Sequence, residues 1–137
     1  MGLFPSYVNS DTEALGYLAG CVQGGVTSVT TATISLTAAQ TVGGLLVISG
    51  GSTCGLTLPT PASVVAAFPQ AQVGQKFALE VINNNSGTAT FTAGTGNTIT
   101  GTATIATTLG QRIIGVITNA TAGSEAVTYY PLLHTPA

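Results

Sequence analysis

From Val26 onward the chain alternates polar and apolar residues with a period of two. Thr31, Thr33, Ser35 and Thr37 interleave with Ala32, Ile34 and Leu36; Thr88, Thr90 and Thr92 with Ala89, Phe91 and Ala93; Thr98, Thr100, Thr102 and Thr104 with Ile99, Gly101 and Ala103. Successive side chains of a strand point to opposite faces, so each series predicts one half-buried strand. Phe77, Leu79 and Val81 mark another inward face, with Lys76 and Glu80 opposite as a surface pair, and residues 83–87 supply turn chemistry to the next strand. Residues 112–118 and 125–130 predict a final hairpin around 119–124. In its simplest register Ile114 and Val116 face Tyr129 and Val127, packing β-branched against aromatic side chains.

Two stretches break this pattern. Thr60 and Pro61 provide an N-cap and a proline at the first helical position, opening a short apolar turn that stops before Pro69. Near the amino end, Ser10 with Glu13 three residues on is a candidate capping box that predicts a short helix through Leu18, ended by Gly20, Gly24 and Gly25. Residues 1–25 therefore predict an arm carrying the apolar anchors Leu3, Phe4, Tyr7, Leu15 and Tyr17, and residues 26–137 a β-sandwich body. So short an arm cannot bury its own anchors and should lie on the body or on a neighbouring chain. The predicted class is all-β, an antiparallel β-sandwich or jelly-roll-like domain with one short helix and an extended N-terminal arm. No regular repeat of 20–50 residues is visible, which speaks against a solenoid or propeller.

Charge changes the picture more than length does. The 137 residues suit one domain. Only 4% of them are charged, against about 25% in an ordinary soluble domain. With two Lys and Arg residues in all, Lys76 and Arg112, a phosphate-binding surface for nucleic acid is excluded. No apolar run approaches the roughly 18–20 residues of a membrane-spanning helix; Leu45–Ile48 and residues 64–68 are of strand or core length. Gly2 followed by Ser6 fits the loose myristoylation pattern, but a single acyl chain without a polybasic patch gives only marginal membrane binding. Residues 1–7 lack the basic start and apolar core of a secretory signal, so synthesis in the cytoplasm is expected. Cys21 and Cys54 then read as small core residues rather than a bridge.

Candidate chemistry is sparse. Residues 14–75 and 81–111 contain no Asp, Glu, Lys, Arg or His, so most of the chain offers no general acid or base. His134 stands alone near the carboxyl end and reads as solvated. No metal-binding, phosphate-cradling or nucleophile motif is present, and the expectation is a non-enzyme with no cofactor and no metal. So few charges are tolerable if partner subunits cover much of the surface, since net charge and interspersed ions normally keep surfaces apart. The composition points to a component of an assembly.

Residues 55–61 (Gly-Leu-Thr-Leu-Pro-Thr-Pro), 64–74 (Val-Val-Ala-Ala-Phe-Pro-Gln-Ala-Gln-Val-Gly), 77–84, 91–97 (Phe-Thr-Ala-Gly-Thr-Gly-Asn) and 126–130 (Ala-Val-Thr-Tyr-Tyr) share a pattern. By these stretches the chain resembles, over residues 54–131, a β-module of tailed-phage virion proteins. It is similar to capsid decoration, or cement, proteins and related fibre modules. The resemblance implies a homotrimer, assembled in the host cytoplasm, that sits on the outer capsid surface and bridges major capsid protein subunits. The arm residues Leu3, Phe4, Tyr7, Leu15 and Tyr17 would then form the capsid or intersubunit contact, and the loops 83–87, 94–97 and 119–124 exposed tips. Two other readings compete with this one. A head-fibre or tail-fibre receptor-binding module should show an aromatic platform, whereas alternation puts Tyr129 and Tyr130 on opposite faces. An ice-binding type of surface would use rows such as Thr98, Thr100 and Thr102, but threonine is an ordinary polar strand residue.

Overall fold

The computed structural model describes residues 25–132. In chain order it contains β1 (Val26–Val29), β2 (Thr33–Ser35), α1 (Ala38–Thr41), β3 (Leu45–Ile48), β4 (Cys54–Thr57), α2 (Pro61–Ala66), β5 (Lys76–Asn83), β6 (Ala89–Thr92), β7 (Asn97–Ile99), β8 (Thr104–Ile105), β9 (Gly110–Asn119) and β10 (Ala126–Leu132). The strands form a six-stranded sheet in the order β1-β3-β5-β9-β10-β7 and a four-stranded sheet in the order β2-β4-β6-β8.

The expected antiparallel sandwich or jelly roll is not what forms. β1, β3 and β5 are mutually parallel in the large sheet, and β2, β4 and β6 are parallel in the small one. Only β5-β9, β9-β10 and β6-β8 are antiparallel, while β7 runs parallel to β10. Both sheets are therefore mixed. From β1 to β6 the chain winds, placing one strand in each sheet per turn, so each strand meets its neighbour one turn later rather than its successor in sequence. Period-two alternation reports which face a side chain takes and is silent about which strand lies alongside. The absence of a sequence repeat, read as evidence against winding, has its own cause. Val26 lies beside Leu45, but Leu45 lies beside Glu80, because the second turn also accommodates α2 and the loop after it.

Local chemistry explains the corners. Residues 30–32 carry the chain from β1 in one sheet to β2 in the other. α1, absent from the expected single helix, returns it to β3. Its start is a capping box: Thr37 Oγ1 accepts from the Gln40 amide, and Gln40 Oε1 accepts from the Thr37 amide at 2.9 Å. α2 starts as the sequence predicts, with Thr60 as N-cap and Pro61 inside the first turn. The series Thr98 to Thr104, expected as one strand, divides into β7 in the large sheet and β8 in the small one. Gly101, with φ of 125°, lies between them in a conformation that side chains with a Cβ rarely adopt.

One core fills the space between the sheets. The large sheet contributes Val29, Leu46, Ile48, Leu79, Val81, Ile113, Ile117, Val127 and Tyr129; the small one contributes Cys54, Leu56, Ala89, Phe91 and Ile105. At the end of β5 this core is closed by amides rather than by apolar side chains. Asn83 Nδ2 donates to the carbonyls of Gly87 (3.0 Å), Ile105 (3.0 Å) and Ala106 (3.2 Å), and its Oδ1 accepts from the Asn85 amide. Asn85 Oδ1 in turn accepts from the Gly51 amide at 2.9 Å. The 83–87 loop is thus not a simple exposed tip: Asn83 and Asn85 are buried and tie three chain segments together.

The C-terminal hairpin forms one residue out of the expected register. Ile114 pairs with Tyr130 and Val116 with Thr128, while Gly115 faces Tyr129 and Ile117 faces Val127. The ladder changes register by one residue between Ala126, opposite Asn119, and Val127, opposite Ile117. It puts Val127 and Tyr129 on the same buried face as Ile113 and Ile117. The surface pair also differs from expectation: Glu80 stands opposite Arg112 across β5 and β9, with Nε to Oε1 at 3.9 Å, rather than pairing with Lys76.

Candidate assembly surface

The outer face of the large sheet is built by the side chains that alternate with the core. Strand register sets them in rows. One row runs Val26, Leu45, Glu80, Arg112 and Leu132; a second runs Ser28, Val47, Ile82 and Gly110. A third comprises Ala78, Ile114 and Tyr130, and a fourth Lys76, Val116 and Thr128, with Thr98 beyond on β7. Val26 is 69% exposed, Leu132 49%, Tyr130 41% and Ile82 40%. Leu45, Val47, Ala78, Ile114 and Val116 are half-buried and take no part in the core between the sheets. The face is mainly apolar, with the Glu80–Arg112 pair at its centre and Lys76 on its fourth row. Large contiguous apolar patches are uncommon on monomeric proteins and often mark interaction surfaces.

The local sequence accounts for the face. Leu45–Ile48 reads Leu-Leu-Val-Ile, and the centre of β9 reads Ile-Ile-Gly-Val-Ile, without polar alternation. Such runs belong to strands covered on both sides. That signal was available in the sequence, where Leu45–Ile48 stands out as an apolar run, but only the register brings these residues together with Ile82 and Tyr130 on one surface.

The outer face of the small sheet has different chemistry. Thr33, Gly55, Thr90 and Thr104 form one row, and Ser35, Thr57 and Thr92 another. The hydroxyls of Thr90 and Thr104 lie 3.4 Å apart. The row expected from Thr98, Thr100 and Thr102 does not form, since Thr98 belongs to β7 in the large sheet and the chain turns at Gly101.

Remaining candidates are modest. An open depression of about 400 Å³ is lined by Gln70, Gln72, Val73, Gly74 and Gln75 and holds no ionisable side chain. Among the described residues no three His, Cys, Asp or Glu side chains converge to hold a metal, and no helix is long and apolar enough to cross a membrane. Cys54 is buried, its thiol donating to the Thr31 carbonyl at 3.3 Å, and burial pushes its pKa up, away from the reactive thiolate. Burial likewise raises the Tyr129 phenol far above its ordinary value. Tyr129 is part of the core whereas Tyr130 is exposed, so the two tyrosines form no shared platform. Glu125 Oε2 accepts from the Gly123 amide and closes a turn whose residues 121–124 are exposed, while Asn119 and Ala120 before them are half-buried. Asn97 is also structural, donating to the carbonyls of Pro59 (2.8 Å) and Ala93 (2.7 Å).

The arm residues Leu3, Phe4, Tyr7, Leu15 and Tyr17, the capping box at Ser10, Cys21 and His134 lie outside the described residues. Comparison of the chain with protein-family models, with curated proteins and with solved structures finds no match.

Proposed function

We propose that this chain is a virion structural protein, a capsid decoration or cement protein. In this reading it trimerises on the outer surface of a tailed-phage capsid and stabilises the shell by bridging major capsid subunits. The observation that carries the proposal is the apolar outer face of the large sheet, on a protein with almost no charge to keep copies apart. Each contact of such a subunit is weak alone. Joining three converts later contacts into intramolecular ones, with avidity gains of about 10² to 10⁴ where geometry permits simultaneous engagement. A subunit that binds only the assembled shell stabilises that state by linkage and opposes bursting.

Sedimentation of the purified full chain, followed by co-sedimentation with undecorated capsids, tests this function. A trimer that pellets with capsids and raises their resistance to heat is the expected result. A monomer that stays in the supernatant would overturn it, and specific adsorption to host cells without capsid stabilisation would favour a fibre module instead.

A further inference from the structure

We infer that the outer face of the large sheet is the docking site for the leading segment, residues 1–24, of a second copy of this chain. The inference rests on the assembly reading and specifies its intersubunit contact. Charge complementarity supports it first. Both cations of the whole sequence, Lys76 and Arg112, stand on this one face, against a single carboxylate, Glu80. Residues 1–24 carry Asp11 and Glu13 and no Lys, Arg or His. Those are two of only four carboxylates in the sequence. A net positive sheet face and an acidic, apolar-rich segment fit one another in sign and in hydrophobicity.

The place where the segment joins the body supplies the second support. It ends at Gly25, immediately before Val26 on β1, the edge strand of the large sheet. The chain therefore leaves the subunit at the margin of the face rather than over its centre. Extended at about 3.3 Å per residue, 24 residues reach on the order of 80 Å, whereas six strands at about 4.8 Å spacing span only about 24 Å. The segment is long enough to cross to a neighbour and lie over its sheet. Such a contact is heterologous, segment on one copy and face on the next, and closes into a ring when the rotation permits.

The test uses charge reversal in the full chain, read by sedimentation equilibrium at low salt. One variant carries Asp11→Arg and Glu13→Arg; the other carries Lys76→Glu and Arg112→Glu. Each alone is expected to associate at least about tenfold more weakly than the parent, because like charges then oppose across the contact. All four substitutions in one chain should restore association, which shows that the variants fold. Mixing the two double variants should recover association in part, since two of the three contacts in a mixed three-membered ring then join opposite charges while the third joins two copies of one variant. Undiminished association of either double variant overturns the docking site while leaving the trimer intact. A mixture that associates no better than either double variant by itself overturns docking between copies and assigns the segment to its own face. A parent that is monomeric at every concentration removes the assembly reading itself.

Discussion

The ring of Phe77 lies against the backbone of Gly115, on the strand between β5 and β10, and meets Tyr129 edge-on beyond it. Register places Phe77, Gly115 and Tyr129 side by side, and the two rings stand 5.8 Å apart at 83°. A Cβ at Gly115 would meet Phe77 Cε1 at 2.6 Å. The missing side chain is what lets two aromatic residues close over the middle of the sheet, and Phe68 extends the cluster at 5.9 Å from Phe77.

Gly115→Ala should therefore destabilise the protein by about 1–3 kcal/mol, the usual cost of overpacking a filled core. Gly25→Ala, where a Cβ meets nothing within 4 Å, is the control and should leave the urea midpoint unchanged. Equal midpoints for the two variants would refute the role given to Gly115.

Tyr129 contributes its ring rather than its hydroxyl, which has no hydrogen-bond partner among the described residues. Tyr129→Phe should be neutral or stabilising by up to about 1 kcal/mol, whereas Tyr129→Ala should cost about 3–5 kcal/mol. A loss above about 2 kcal/mol in the phenylalanine variant, measured by denaturant titration, would reveal a hydrogen bond at that oxygen.

The same phenol makes stability depend on alkaline pH. Its pKa is raised in the folded protein, so above about pH 10 the unfolded chain releases a proton that the folded one retains. The contribution is complete below that pH and is lost as pH rises beyond it. Stability of the parent should fall more steeply above about pH 10 than that of Tyr129→Phe, as thermal melts at successive pH values would record.

Asn83 should be among the least replaceable polar residues. Asn83→Ala strands buried carbonyls of Gly87, Ile105 and Ala106 and should cost about 3 kcal/mol. Asn83→Asp should cost more at neutral pH and recover part of the loss as pH falls, since a carboxylate facing those carbonyls is less unfavourable once protonated. A pH-independent deficit in the aspartate variant would contradict the geometry.

Glu80 and Arg112, by contrast, are each about 60% exposed on their side chains and joined at 3.9 Å. A double-mutant cycle to alanine should give a coupling of no more than about 1 kcal/mol, diminishing with salt. A larger, salt-insensitive coupling would mean that the pair is covered in solution.

Several features follow from the sequence alone because their causes are local. Thr60 and Pro61 start α2 by capping chemistry contained within a few residues, and Phe77, Leu79 and Val81 point inward because a strand alternates. The scarcity of ions is likewise a property of the residue list. Tertiary structure decided what depends on neighbours distant in sequence. Val26 could pair beside Leu45 or fold back on its own successor with the same alternation, and only winding around a shared core selects the former. The register that sets Tyr129 opposite Gly115 and Tyr130 opposite Ile114 is taken up after an irregularity beside Val127, and it brings Val127 and Tyr129 into the core while Tyr130 stays exposed. The outer apolar face exists for the same reason: Val47, Ile82, Ile114 and Tyr130 become one surface only through strand order, which is set by long-range packing rather than by any local run of residues.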